Sequence, residues 1–523
     1  MNSMNKKFRN FRSASFKGFV AASAFAALML GNGMAAQASP PSAQDRALGL
    51  WYADALDLQT VHESGLTGKG VRIAVVDDGI NLDAAELQGA NIKVHGGYCL
   101  NQDSGKPFPS NTTDATISQH GTSVVAMLVG NGRAADGGQG TLGVVPDAQI
   151  DFYAAGPAVS EEQESAGWNK ICPSKKDSSD GSFTGSAWKD ATNAAVESGA
   201  SLVSVSLAGS VITFQDALIQ AASRGVTIVA SALNPGDDSI GVGGFPAAGN
   251  GSISVNAVGR DNNVIGKSDG FGGGLQVGSG NIGISAPGVR ILSIGSDWQP
   301  AIEHGTSYAT PIVAGALALA SQKYPKATQN QLINSLINTT NVSVQSGTPS
   351  WDRVFGYGII SLPTLLNNDP MNYSDDNPLY VKDPSDPRCK GPRETKQPTS
   401  MDNCQWGDTP TLAEISAAKP SSSGLPSAAP NHSGENKLPI LSWILWIGVA
   451  GVLVIGLGIA VPILIVSRKR SKLSKQPRNA DFTHPVLSHA EPVNRMFGAE
   501  ARKSAQPPHT DDRGSIHEKG ADK

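Results

Sequence analysis

"VRIAVVDDGIN", Val71 to Asn81, decides how the rest of the chain is read. Val71–Val76 is an apolar run of the kind shown by a parallel strand covered on both faces, and it ends in an acidic turn. Gln149–Ala155, Ser201–Leu207, Val226–Ala232 and Ser252–Val258 repeat the pattern. Between and after these runs lie helix-like stretches at His120–Val129, Ser186–Glu197, Thr213–Arg224, Ser307–Lys323 and Thr328–Asn338. Strand and helix alternating in this way predict an α/β fold with a doubly wound, mainly parallel sheet. In such sheets, sites form beyond the carboxyl ends of the strands.

Three segments place reactive groups at those ends. "IAVVDDGIN" puts Asp77 directly after a strand, with Asp78 in the turn that follows. "SQHGTSVVAMLVG" is expected to start a helix at His120, and "EHGTSYATPIVAGALALA", Glu303–Ala320, another at Ser307. Pro311 falls early in this second helix, where proline is tolerated. For Thr306 or Ser307 the plain reading is a helix N-cap. The chemical reading is acyl transfer, which needs a serine hydroxyl, an imidazole to take its proton and a carboxylate to orient that imidazole. A fourth segment, "IVASALNPG", offers the Asn234 amide to a developing oxyanion, and a helix start adds backbone N–H groups and a positive dipole end.

The order Asp, His, Ser within "VDDGI", "HGT" and "GTSYATP" resembles the subtilisin-like serine proteases, or subtilases. The likeness runs from about Val71 to Leu366 and includes "GTLGVVPDAQI", "LVSVSLAG", "ISAPGVRILS" and "FGYGIISLPTLL". It implies a subtilisin-like fold and serine endopeptidase activity on a polypeptide substrate, through an acyl-enzyme. Asp77, His120 and Ser307 would be the catalytic residues and Asn234 the oxyanion donor. Ser206, Leu207, Ala208 and Gly209 would be a backbone edge that pairs with extended substrate. Asp78 reads as a turn residue, His95 and His304 as loop residues. Leu233 and Pro235 depart from the smaller or polar neighbours usual around the oxyanion asparagine, and Ser123 replaces a non-catalytic histidine common in the family. The chemistry needs no cofactor. Structural calcium is frequent in such proteins, but no ligand set is assignable, and Asp237 and Asp238 read as solvated loop residues.

The flanks predict an exported, anchored protein. Lys6, Lys7, Arg9, Arg12 and Lys17 precede an apolar stretch, Gly18–Leu30, and "AQA" at Ala36–Ala38 suits a signal peptidase, giving a signal peptide over 1–38. Leu438–Val466 carries no charge and is long enough to span a bilayer, with Trp443 and Trp446 near one end and "SRKRSKLSKQPR" beyond the other. That predicts one C-terminal transmembrane helix in the cytoplasmic membrane, with the protease domain extracytoplasmic and the C-terminus cytoplasmic. The intervening parts are an N-terminal extension (39–70), the protease domain (71–366), a Pro/Ser-rich tether (367–437) and a basic tail (467–523). Gly156–Gly185 reads as a surface insertion. Four cysteines in an exported region suggest disulfides. Cys99–Cys172 with Cys389–Cys404 is the favoured pairing, because the second bond closes a short polar loop. A net charge of −4 without a basic stripe excludes a nucleic-acid partner. The 59 glycines suit a folded domain with many tight turns. A short extension, a subtilase domain, a tether and one membrane helix together resemble the mycosins, which implies association with a type VII secretion membrane complex.

Overall fold

The computed structural model describes residues 40–157, 172–207, 214–234, 246–266, 282–381, 386 and 410–418, all within the first of two compact units, Met1–His432. The expected signal peptide, transmembrane helix and tail lie outside the described residues, as do Ala208, Gly209, Cys389, Cys404, Asp237 and Asp238. Among the described residues no helix is long and apolar enough to cross a membrane.

Among the described residues, seven strands form one parallel sheet: β1 (Arg72–Asp77), β2 (Asn91–His95), β3 (Gln149–Ala154), β4 (Leu202–Val205), β5 (Thr227–Ser231), β6 (Ile253–Val258) and β7 (Ile284–Pro287). Their spatial order is β7-β6-β5-β4-β1-β3-β2. From β1 the chain runs to the edge strand β2, returns to β3 beside β1, then crosses to β4 and winds outward to β7. β1 is the switch point, where such sheets open a crevice at their carboxyl ends.

Side-chain alternation builds two cores. Ile73 and Val75 of β1 face one layer, while Ala74 and Val76 face the other. The first layer contains α4 (Ala115–Val129), α7 (Thr306–Lys323) and α8 (Gln329–Asn338). The second contains α5 (Ala187–Glu197) and α6 (Gln215–Arg224). α7 is buried without interruption from Tyr308 to Ala320, which explains its small apolar composition on every face.

Several boundaries differ from the sequence reading. α4 begins at Ala115 rather than His120, because the Asp114 side chain caps it by accepting from the Thr116 N–H. His120 therefore sits in the second turn. α7 begins at Thr306, and its N-cap is Gly305, so neither Thr306 nor Ser307 is the cap. β2, β7 and an antiparallel hairpin of β8 (Val289–Ile294) and β9 (Pro300–His304) were not among the expected strands. β2 lies at the sheet edge and mixes polar with apolar residues, so it lacks the buried-strand pattern. It contains His95, whose ring stacks on Tyr153 at 4.3 Å between centroids, so this histidine is not a loop residue. His304 likewise lies in β9.

The N-terminal extension folds into short helices α1 (Ala43–Gly49), α2 (Trp51–Ala55) and α3 (Leu58–Glu63) that pack on the domain. Trp51 Nε1 donates to the Val289 carbonyl at 3.1 Å. The buried Tyr52 hydroxyl donates to the Leu142 carbonyl at 2.7 Å and accepts from the Leu142 N–H at 3.0 Å. Arg46 forms a two-pronged ion pair with Asp136, one prong at 2.8 Å. Cys99 and Cys172 are bonded, with their Cα atoms 5.5 Å apart, which ties the loop after β2 to the insertion.

Candidate active site

β1 delivers Asp77, fully buried, to the carboxyl edge of the sheet. α4 crosses directly above it. The Gly79 N–H donates to the Ile117 carbonyl at 2.7 Å, and a Cβ on Gly121 would collide with the Gly79 carbonyl. Glycine after His120 thus allows the helix to approach β1 closely. The result is a hydrogen bond from His120 Nδ1 to Asp77 Oδ1 at 2.6 Å. The same Asp77 oxygen accepts from the Asp78 N–H at 2.8 Å.

The third side chain arrives on α7. Val76 pairs with Val205 of β4, so Ser206 follows at the level of Asp77 on the neighbouring strand. Ser307 Oγ donates to the Ser206 carbonyl at 3.1 Å, and Ser206 Oγ donates back to the Ser307 carbonyl at 3.0 Å. The second bond has a cause in the sequence. Pro311 lies in the second turn of α7, where the N–H it lacks would have bonded the Ser307 carbonyl four residues earlier. Ser206 supplies the missing donor. In this resting arrangement the Ser307 hydroxyl points to Ser206, and among the described residues no hydrogen bond joins it to His120. Such bonds often tighten only when substrate is bound.

Asn234 follows β5 and meets the start of α7. Its Oδ1 accepts from the Thr306 N–H at 3.1 Å and from Thr306 Oγ1 at 3.2 Å. Thr306 Oγ1 also donates to the Ala232 carbonyl at 2.6 Å. With the amide oxygen held this way, Nδ2 is the donor end of Asn234. Tyr308 N–H returns to the Gly305 carbonyl, which leaves the Ser307 N–H without a backbone partner among the described residues. An amide side chain and a helix N-terminus therefore present donors beside the hydroxyl. Of the expected substrate edge, Ser206 and Leu207 are described, and Ser206 is buried.

The electrostatics centre on His120. Burial disfavours its charged form, but the Asp77 charge and hydrogen bond outweigh that, aided by Asp78 and Glu303, and push it up to about 9. Glu303, from β9, is itself raised by burial, with the His120 charge acting against the rise. Sequence reading missed the proximity of Glu303. Its signal was faint: it lies three residues before Thr306, and only the hairpin brings its charge within reach of His120. Ser123 is buried and donates to the Ile294 carbonyl at 3.1 Å, securing α4 to β8.

Residues 68–358 match the Subtilase family, Peptidase_S8. This chain belongs to that family. Among curated subtilases, alkaline elastase YaB of Bacillus sp. (strain YaB) is 31% identical over 291 residues, covering 55% of this chain and 64% of its own length. Subtilisin Savinase of Lederbergia lenta is also 31% identical over 291 residues, covering 90% of its length. Among solved structures, fervidolysin from Fervidobacterium pennivorans, a keratinolytic enzyme related to subtilisin, gives a TM-score of 0.42 at 24% identity. That match covers 62% of this chain and 47% of that one.

Proposed function

We propose that this subtilase is a serine endopeptidase in which Ser307 is the nucleophile, His120 the general base and Asp77 the residue that orients and stabilises the imidazolium. The reading rests above all on the 2.6 Å bond from His120 Nδ1 to Asp77, at the carboxyl edge where Ser307 also lies. That bond leaves Nε2 as the ring nitrogen that takes the serine proton. Ser307 Oγ attacks the substrate carbonyl, and the oxyanion is met by Asn234 Nδ2 and the Ser307 N–H. His120 then hands its proton to the leaving amine, and water hydrolyses the acyl-enzyme by the same route in reverse. Ser206 to Gly209 pairs with the extended substrate backbone. No step requires a cofactor.

We further propose that the domain works outside the cytoplasmic membrane, held by the Leu438–Val466 span, and that it serves a type VII secretion complex as mycosins do. The uncharged span, the tryptophans near its first end and the basic segment that follows support the topology. The short extension and proline-rich tether support the mycosin comparison. The alternatives are a scaffold role within the complex, with proteolysis secondary, and a free-standing surface protease that uses the membrane only as an anchor. Labelling the full chain with an active-site serine phosphonate and mapping the adduct tests the chemistry: modification at Ser307 is expected, and modification elsewhere sinks it. Replacing Ser307 with Ala separates the roles. Secretion that survives this change but fails on deletion of the whole protein favours the scaffold.

A further inference from the structure

His120 has two carboxylates beside it. An oxygen of Asp77, one of Asp78 and a ring nitrogen of His120 all lie within 4.8 Å of one another. Sequence reading makes Asp78 a turn residue, and other aspartates show what that role looks like. Asp352 Oδ1 accepts from the Val354 and Phe355 N–H groups at 2.7 and 2.8 Å, and Asp114 caps α4. Asp78 does neither. Its Oδ1 is buried and has no hydrogen-bond partner among the described residues. Gly156 packs against it so closely that a Cβ there would collide with that oxygen. A buried acceptor left unpaired costs stability and calls for an explanation.

We propose that Asp78 is a positioning residue, a second carboxylate whose charge, alongside that of Asp77, stabilises the His120 imidazolium formed when Ser307 gives up its proton. This rests on the serine-peptidase reading above. Asp77 makes the directional contact and sets the ring orientation. Asp78 adds charge without a bond, and its own backbone N–H steadies the Asp77 oxygen that holds the ring. Ionisable groups on the elements around α4 include Arg72 and Asp77 of β1, Glu86, Arg290, Glu303, His304, Tyr308 and Lys323. Of these and Asp78, the ones whose charge acts on the ring are Asp77, Asp78 and Glu303, in that order. Asp78 is itself pushed up by burial and by the Asp77 charge, while His120 pulls it back. The protonation of Asp78 and that of the ring therefore depend on each other.

The test follows the ring of His120 by NMR of histidine-labelled full chain in detergent, in parallel with kcat/KM against pH on a peptide substrate. Asp78→Asn keeps the shape and removes the charge. The ring midpoint and the rising limb of activity should both move to lower pH by about one unit. Glu303→Gln should move them less. A shift below about half a unit for Asp78→Asn overturns the proposal, since a purely structural residue would alter yield or Tm and leave the midpoint in place. If that variant does not fold, the wild-type ring still decides: its titration should show a second inflection as Asp78 loses its proton, and a single smooth step is the contrary result. Absence of peptidase activity in the wild type would refute the serine-peptidase reading, while the ring titration would still judge Asp78.

Discussion

Two clusters of charge in this subtilase use the same ingredients to opposite ends. At the N-terminal extension, Arg46 pairs with Asp136 while the buried Glu86 lies close by. At the site, His120 pairs with Asp77 while Asp78 and Glu303 lie close by. The difference is the cation. A guanidinium stays charged across the accessible pH range, so the Arg46 hydrogen bonds hold Asp136 far below the usual carboxylate range and the pair serves as a fixed staple. An imidazole can lose its proton, so the surrounding carboxylates tune when it does. One cluster secures the extension to the domain. The other is poised to move a proton.

Changes at the site should therefore damage chemistry and spare the fold, whereas changes at the Arg46 cluster should alter stability and spare the chemistry. The largest effect is expected from Ser307→Ala, which should lower kcat by on the order of 10⁶, a magnitude established for subtilisin itself. Its Tm should match the wild type, and a protein that still turned over at more than a trace would break the comparison. Asn234→Ala comes next, with kcat expected to fall by on the order of 10² to 10³ and KM little changed, again a size known from subtilisin's own oxyanion donor. An equal loss in KM would assign Asn234 to substrate binding instead.

The pH profile sharpens the point about the cation. Because His120 is pushed up to about 9, the base is mostly protonated at neutral pH, so kcat/KM should still be rising between pH 6 and 8, less steeply where Asp78 loses its proton. A plateau already reached at pH 7 would mean that the ring titrates as an ordinary histidine. The smallest effect belongs to the Arg46 cluster, at Glu86. Burial, then Asp136, raise Glu86 to about 7 against the opposing pull of Arg46 and a backbone hydrogen bond. A carboxyl raised on folding contributes stability that is fully present below its unfolded pKa of about 4.5 and is lost as pH rises through about 7. Glu86→Gln should therefore be more stable than wild type at pH 8, by about 1–3 kcal/mol, and no more stable at pH 4. Thermal melts at the two pH values measure it, and an equal gain at both would point to packing rather than charge.

The legible part of the fold was the interior of the sheet. β1, β3, β4, β5 and β6 are strands within a residue or two of the expected runs, because strands buried on both faces carry near-continuous apolar sequence. The edge strand β2 and the hairpin had no such mark. The start of α4 differs from the expected His120 because its cap, Asp114, lies further back in the chain, ahead of a polar first turn.

At the site, sequence alone selected the residue types and the strands and helices that carry them, because catalytic chemistry needs fixed kinds of group and a doubly wound sheet gathers its loops at one edge. What only the tertiary structure decided was contact between residues far apart in the chain. These include the Ser206 hydroxyl replacing the donor that Pro311 lacks, Thr306 fixing the Asn234 amide, and Glu303 and Asp78 reaching His120. Such contacts leave no periodic trace, since the partner of each group is set by packing and not by its neighbours along the chain.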